Sequence, residues 1–144
     1  TGKTLRESPV TVIRGRTILS ASEDETNEAG TDNMFIAICG ENKGNGAIKL
    51  CVLDGYKMEI QKESNEVIAE NSVLVRSGED ILCVINQNGK FYLAKYNSDL
   101  KLIFTSQETV FESTPITVTS KGVVVTSESG QVLLLNKDDF SLIK

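Results

Sequence analysis

The sequence predicts an all-β fold, a β-propeller-like array of about three four-stranded antiparallel blades with one extra N-terminal strand. Three observations carry this expectation. Three blocks repeat one order of strand and turn signals. Gly-centred turns at Gly46, Gly89 and Gly130 recur at intervals of 43 and 41 residues. The segments between turns are short and rich in Val, Ile and Leu, with no helical period longer than two turns.

The blocks run over residues 9–64, 65–107 and 108–144. Each opens on a stretch starting at Val12, Val67 and Val110, within which the innermost strand begins near Arg16, Asn71 and Thr114. A second strand follows at Met34 to Cys39, Ile81 to Ile85 and Gly122 to Thr126. Asn45-Gly46 and Asn88-Gly89 suit a two-residue hairpin turn, in which both positions take positive φ; Ser129-Gly130 is a weaker form. The third strand is Ala47 to Leu53, Phe91 to Tyr96 and Val132 to Leu135. A second turn is built on Asp54-Gly55, Asn97-Ser98-Asp99 and Asn136 to Asp139. The last strand is then expected at Met58 to Lys62, Leu100 to Phe104 and Phe140 to Lys144. Residues 1–8 fit the outer strand of a preceding blade, so the single β-repeat domain reads as a fragment of a longer protein. Three blades and a spare strand cannot close a ring. The array is expected to stay open, to close with a second copy, or to be completed elsewhere in the parent chain.

Composition narrows the function classes. Apolar residues make up 40% of the 144, enough for one modest core. No apolar run approaches the roughly eighteen residues of a membrane helix, and the sequence carries no targeting signal. The net charge of −5 resides in Ser22 to Asp32, which holds Glu23, Asp24, Glu25, Glu28 and Asp32. The remaining acids balance the 15 Lys and Arg. An otherwise neutral surface is a poor match for nucleic acid or anionic lipid. Cys39, Cys51 and Cys83 have no metal-ligand spacing and each falls within an apolar strand, so they read as buried free thiols.

Motifs that resemble catalytic ones resolve into turns. Thr1-Gly2-Lys3-Thr4 matches the tail of a phosphate-binding loop, yet the following segment contains Pro9 and β-branched residues instead of opening a helix. Gly40 to Gly46 is glycine-rich but lies between two strands, where a dinucleotide fingerprint needs a strand and a helix. Ser98 and Lys101 have the spacing of some acyl-transfer enzymes without the partner motifs. With no His, most Ser and Cys triads and His-ligated metal sites are removed. The absence of Trp removes the stacking platform of quinone-dependent propeller enzymes. The acidic loop departs from EF-hand spacing and reads as solvated or partner-facing. No cofactor and no metal are expected.

One set of positions suggests a binding site. Aligning the blocks places Arg16, Asn71 and Thr114 in one column at the start of the innermost strands, with Arg14 nearby. In a propeller that column rings the mouth of the central channel.

The stretch from Cys39-Gly40-Glu41-Asn42-Lys43-Gly44-Asn45-Gly46 through Ala47-Ile48-Lys49-Leu50-Cys51-Val52-Leu53-Asp54 is the most distinctive. With Thr1 to Pro9 and Ile13-Arg14-Gly15-Arg16-Thr17, it resembles the C-terminal region of the Borrelia and Treponema 83/100 kDa antigen family. That resemblance implies a non-enzymatic, envelope-associated and periplasmic protein with no catalytic residues to carry over. The expected function is a binding or scaffolding module that presents blade faces and loops to a protein or envelope component. The competing expectation is a small-ligand or sugar-binding, or hydrolytic, propeller that uses Arg14, Arg16 and acids at the channel mouth.

Overall fold

The computed structural model describes residues 2–4, 17–20, 34–40 and 47–143. Among them, eleven strands form three antiparallel sheets in which chain neighbours are sheet neighbours. The first sheet is β1 (Leu19–Ser20), β2 (Phe35–Cys39), β3 (Lys49–Leu53) and β4 (Ile60–Glu63). The second is β5 (Val75–Ser77), β6 (Asp80–Gln87), β7 (Lys90–Tyr96) and β8 (Leu102–Thr109). The third has three strands, β9 (Thr117–Val118), β10 (Val123–Thr126) and β11 (Val132–Leu135). The all-β expectation holds, with no helix among the described residues.

The second strands of the first two sheets are buried on both faces, which is why Phe35–Cys39 and Ile81 to Ile85 read as unbroken apolar runs; β10 buries Val123 and Val125 on one face and leaves Val124 and Thr126 partly exposed on the other. Alternate side chains point to opposite faces. Ile36, Ile38, Leu50 and Val52 meet Ile81, Cys83, Ile85, Ala94 and Tyr96 in a core between the first and second sheets. Leu82, Val84 and Leu93 meet Val123, Val125 and Leu135 in a core between the second and third. The other face of the first sheet carries Ala37, Cys39, Cys51 and Leu53.

Turn chemistry is partly as expected. Asn88 and Gly89 have φ of 55° and 85°, the two positive values that a tight hairpin demands. Gly46 lies outside the described residues. The second turn differs from expectation. Met58, Leu100 and Phe140, taken as the first residues of the last strands, have φ of 56°, 58° and 59° and close the turn instead. The outer strands begin two residues later, at Ile60 and Leu102. A left-handed non-glycine residue costs about 1–2 kcal/mol. Burying a Leu or Phe side chain returns roughly 1.5–3 kcal/mol. Leu100 and Phe140 are both buried, in the first and second cores respectively, so burial wins. Phe140 also meets the Phe104 ring edge-on, with centroids 4.7 Å apart. In the third block the expected last strand shrinks to a bridge from Leu142 to Leu135 and a bond from Ile143 N–H to the Leu134 carbonyl.

The passage from sheet to sheet is the most regular feature of the chain. Residues 67–69, at the opening of the second block, cross between two sheets and bond to both. The Ile68 N–H donates to Ile48 O on the first sheet at 2.8 Å. The Ala69 N–H donates to Val84 O, and the Asn86 N–H to Val67 O, on the second. Forty-two residues on, Val110 N–H donates to Phe91 O, while Phe111 and Glu128 N–H donate to Thr126 and Thr109 carbonyls.

These crossings break strand pairing, and hydroxyls repair the breaks. Between Tyr92 and Ala94 the β7–β8 register shifts, so Leu93 loses its ladder partner. The Leu93 N–H instead donates to Ser106 Oγ at 3.0 Å, and Ser106 donates to the Glu108 carbonyl. Ser64 does the same for Leu50 and Glu66. Ser72 accepts from the Val84 N–H and donates to Val73 O, as Thr114 does for Thr126 and Pro115 O. Of the five buried polar or charged residues among those described, these hydroxyls account for four.

Removing one such hydroxyl leaves a buried N–H unpaired, which costs about 1–3 kcal/mol. Ser106→Ala is expected to lower stability by that amount in chemical denaturation. Ser98→Ala, at an exposed turn, is expected to change it by less than about 0.5 kcal/mol.

Candidate functional surface

The hairpin turn Asn88–Gly89, the turn around Gly130 and both crossing segments lie at the same end of the second and third sheets, as their shared bonds require. Asn86 N–H binds Val67 O, and Glu128 N–H binds Thr109 O. On this end Phe111 is 52% exposed although it is a large aromatic side chain. Next to it in the chain, Glu112 Oε1 receives a long hydrogen bond from Asn71 Nδ2 at 3.5 Å, which joins the two crossings. Beside them is an open hollow of about 280 Å³ lined by Glu108, Thr109, Ser127, Glu128, Ser129, Gln131 and Leu133.

The proposed column of site residues is only partly assembled here. Arg14 and Arg16 lie outside the described residues, as does the acidic loop Ser22 to Asp32. Asn71 is exposed on the surface just described. Thr114 is fully buried, and its hydroxyl is engaged by Thr126 and Pro115. Its structural counterpart in the second block is Ser72, one position on from Asn71, because Ser72 and Thr114 make the same pair of bonds. Phe111 and Glu112 were passed over because Val110-Phe111-Glu112 reads as the start of a strand. Arg76 was also missed. From β5 its guanidinium donates to the Ser20 carbonyl on β1, which ties together the innermost strands of the first two sheets.

Comparison with known proteins gives one match. A family model described as Borrelia P83/100 protein covers residues 1–116. The chain belongs to the Borrelia P83/100 protein family. No curated protein and no solved structure matches it. The P83/100 match takes in the first two sheets and the second crossing, and stops one residue before β9. Phe111, Glu112 and Asn71 therefore all fall within the P83/100 region, whereas most of the hollow's lining follows it.

The titratable groups of this P83/100 chain are tied into its fold. Tyr96 is fully buried and donates its hydroxyl to Glu66 Oε1 at 2.9 Å; burial first, then the nearby Cys83 and Glu66, push its ionisation well up. Cys39, Cys51 and Cys83 are buried free thiols. The contact with Cys39, followed by burial, pushes Cys51 up, and burial pushes Cys83 up, so both stay protonated at neutral pH. No group of three metal-ligating side chains occurs among the described residues.

Asp54 illustrates how a carboxylate is engaged by its own turn. Oδ1 accepts the N–H groups of Tyr56, Lys57 and Met58, while Oδ2 accepts those of Glu59 and the Gln61 side chain. The Lys57 N–H above all, with Glu59, Tyr56 and Met58 beside it, holds the Asp54 carboxyl below the ordinary value. A depressed folded-state value means stability that is present above the unfolded pKa of about 3.9 and lost as pH falls through the folded one. Asp54→Asn is expected to be less stable than the unmodified protein at neutral pH. The gap should narrow as pH drops below about 4, as measured by urea denaturation across pH.

Proposed function

We propose that this P83/100 chain is a non-enzymatic binding or scaffolding module of a spirochaete cell-envelope antigen, working in the periplasm. Its sheets act as blades of a propeller-like array. The end that carries the crossing segments is presented to a protein or envelope component. The observation that supports this most is Phe111, half exposed on the second crossing beside the buried Val110. An exposed aromatic with polar neighbours is the usual chemistry of an interaction hot spot. Glu108, Glu112 and Glu128 on the same end favour a partner that contributes Lys or Arg.

The hollow beside Phe111 supports a second reading, in which a small polar ligand such as a sugar binds among Ser127, Ser129, Gln131 and the two glutamates. Such a ligand would raise the melting temperature of the isolated chain.

Phe111→Glu changes an exposed side chain and should leave the melting temperature nearly unchanged. In a binding assay against solubilised envelope proteins, it is expected to weaken partner retention roughly tenfold or more. Retention equal to that of the unmodified protein would remove this end from the proposal. A sugar panel that shifts the melting temperature, with the shift abolished by Gln131→Ala, would favour the second reading instead.

A further inference from the structure

The chain builds one kind of sheet junction twice and fills it only once. Ser64-Asn65-Glu66-Val67-Ile68 leads into the first crossing and Ser106-Gln107-Glu108-Thr109-Val110 into the second. Ser64 bonds the Leu50 N–H and the Glu66 carbonyl, and Ser106 bonds the Leu93 N–H and the Glu108 carbonyl. Glu66 and Glu108 therefore hold the same structural position. On the facing sheets, the bonds of Ser72 to Val84 and of Thr114 to Thr126 fix the equivalence of β6 and β10. Strand pairing then matches Tyr96, opposite Ile81, with Leu135, opposite Val123. It matches Tyr92, opposite Ile85, with Gln131, whose carbonyl accepts the Ser127 N–H.

Between the first and second sheets the chain fills this place itself. Tyr92 and Tyr96 both pack into the first core, and the Tyr96 hydroxyl donates to Glu66 Oε1 at 2.9 Å. Between the second and third sheets both rings are gone. Leu135 offers no donor, Gln131 carries no ring, and the Glu108 carboxylate takes no hydrogen bond or ion pair among the described residues. The space left is the hollow of about 280 Å³, with Glu108 from the second sheet and Gln131 and Leu133 from the hairpin of the third. Its rim is braced, since Ser127 Oγ accepts the Gln131 N–H and bonds Ser129 Oγ, each at 3.0 Å. Pockets for drug-sized molecules run to roughly 300–1,000 Å³, so this hollow suits a single side chain.

The filled junction shows which side chain. A phenol has an apolar ring to fill space and a hydroxyl at its far end to meet a carboxylate. A phenylalanine ring would leave Glu108 unpaired, and a lysine would pair with it without replacing the ring.

We propose that the hollow is a pocket for a tyrosine side chain of the protein partner, with Glu108 accepting its hydroxyl and Gln131 and Leu133 lying against its ring. This rests on the reading of the crossing end as a partner-binding surface, and it names the residue that the partner places beside Phe111.

Titration of the chain with N-acetyl-tyrosinamide, followed residue by residue through amide NMR shifts, tests it. Saturable shifts are expected at Glu108, Thr109, Glu128 and Gln131. A site built around a hydroxyl discriminates against the analogue that lacks it, so N-acetyl-phenylalaninamide is expected to bind roughly tenfold more weakly. Glu108 is exposed, so Glu108→Ala should keep the melting temperature and lose roughly tenfold in affinity for the tyrosine probe. Gln131→Tyr, which returns a ring to the place of Tyr92, should block the probe as well. Absence of saturable shifts around the hollow would overturn the pocket. So would equal binding of the phenylalanine probe, tighter binding of N-acetyl-lysinamide, or affinity that survives both substitutions. If the tyrosine probe fails to bind while Phe111→Glu still loses the envelope partner, the pocket falls and the crossing-end reading stands. If the probe binds as expected while Phe111→Glu keeps the partner, the pocket stands and that reading falls.

Discussion

The architecture depends on one recurring arrangement, a chain segment that crosses from one sheet to the next while hydrogen-bonded to both. A crossing of this kind must interrupt strand pairing, and each interruption strands a backbone N–H in a dry place. The chain answers with a short hydroxyl side chain each time. Ser64 and Ser106 serve Leu50 and Leu93 where the outer strand departs, and Ser72 and Thr114 serve Val84 and Thr126 where the next sheet begins. A hydroxyl suits the task because it accepts one bond and donates another, so it leaves no polar atom of its own unsatisfied. Among the described residues no buried side-chain polar atom lacks a partner.

Everything else is positioned by these crossings. They bring Ile68 and Val110 into the first and second cores, and so seat one sheet upon the next. They also bring Asn71 within reach of Glu112 and lift Phe111 onto the surface. The left-handed turn residues Leu100 and Phe140 act at the other end of the strands, each plugging into the core that its sheet shares with the one before. Stability and the candidate surface thus share one origin, since the segments that join the sheets also carry Asn71, Phe111 and Glu112.

Much of this was legible in the sequence. The order of strands and turns, the Asn88–Gly89 hairpin and the burial of all three thiols follow from apolar runs punctuated by glycine and asparagine. What stayed hidden has physical reasons. Met58, Leu100 and Phe140 are residues that normally avoid positive φ, so nothing in their identity announced a turn; tertiary burial decided it. The block openings at Val67 and Val110 have strand-like composition, because a crossing segment bonded to two sheets needs the same β-branched residues as a strand. The column of Asn71 and Thr114 slipped by one place because a hydroxyl's role depends on where the ladder breaks, and breaks are invisible to an alignment of apolar residues. Phe111 was not singled out because it stands in that strand-like stretch. Membership of the Borrelia P83/100 family was legible from turn and strand motifs near Cys39 to Asp54, together with the first residues of the chain.

The central claim is that side-chain hydroxyls replace ladder partners at the crossings and hold the sheets as one unit. Native-state hydrogen exchange read residue by residue tests it most directly. The account predicts that the amides of Leu50, Val84, Leu93 and Thr126 exchange as slowly as true ladder amides such as those of Cys83 and Val125, and that Ser106→Ala selectively accelerates Leu93. Fast exchange at those four amides in the unmodified protein, or a Leu93 rate unmoved by Ser106→Ala, would contradict it.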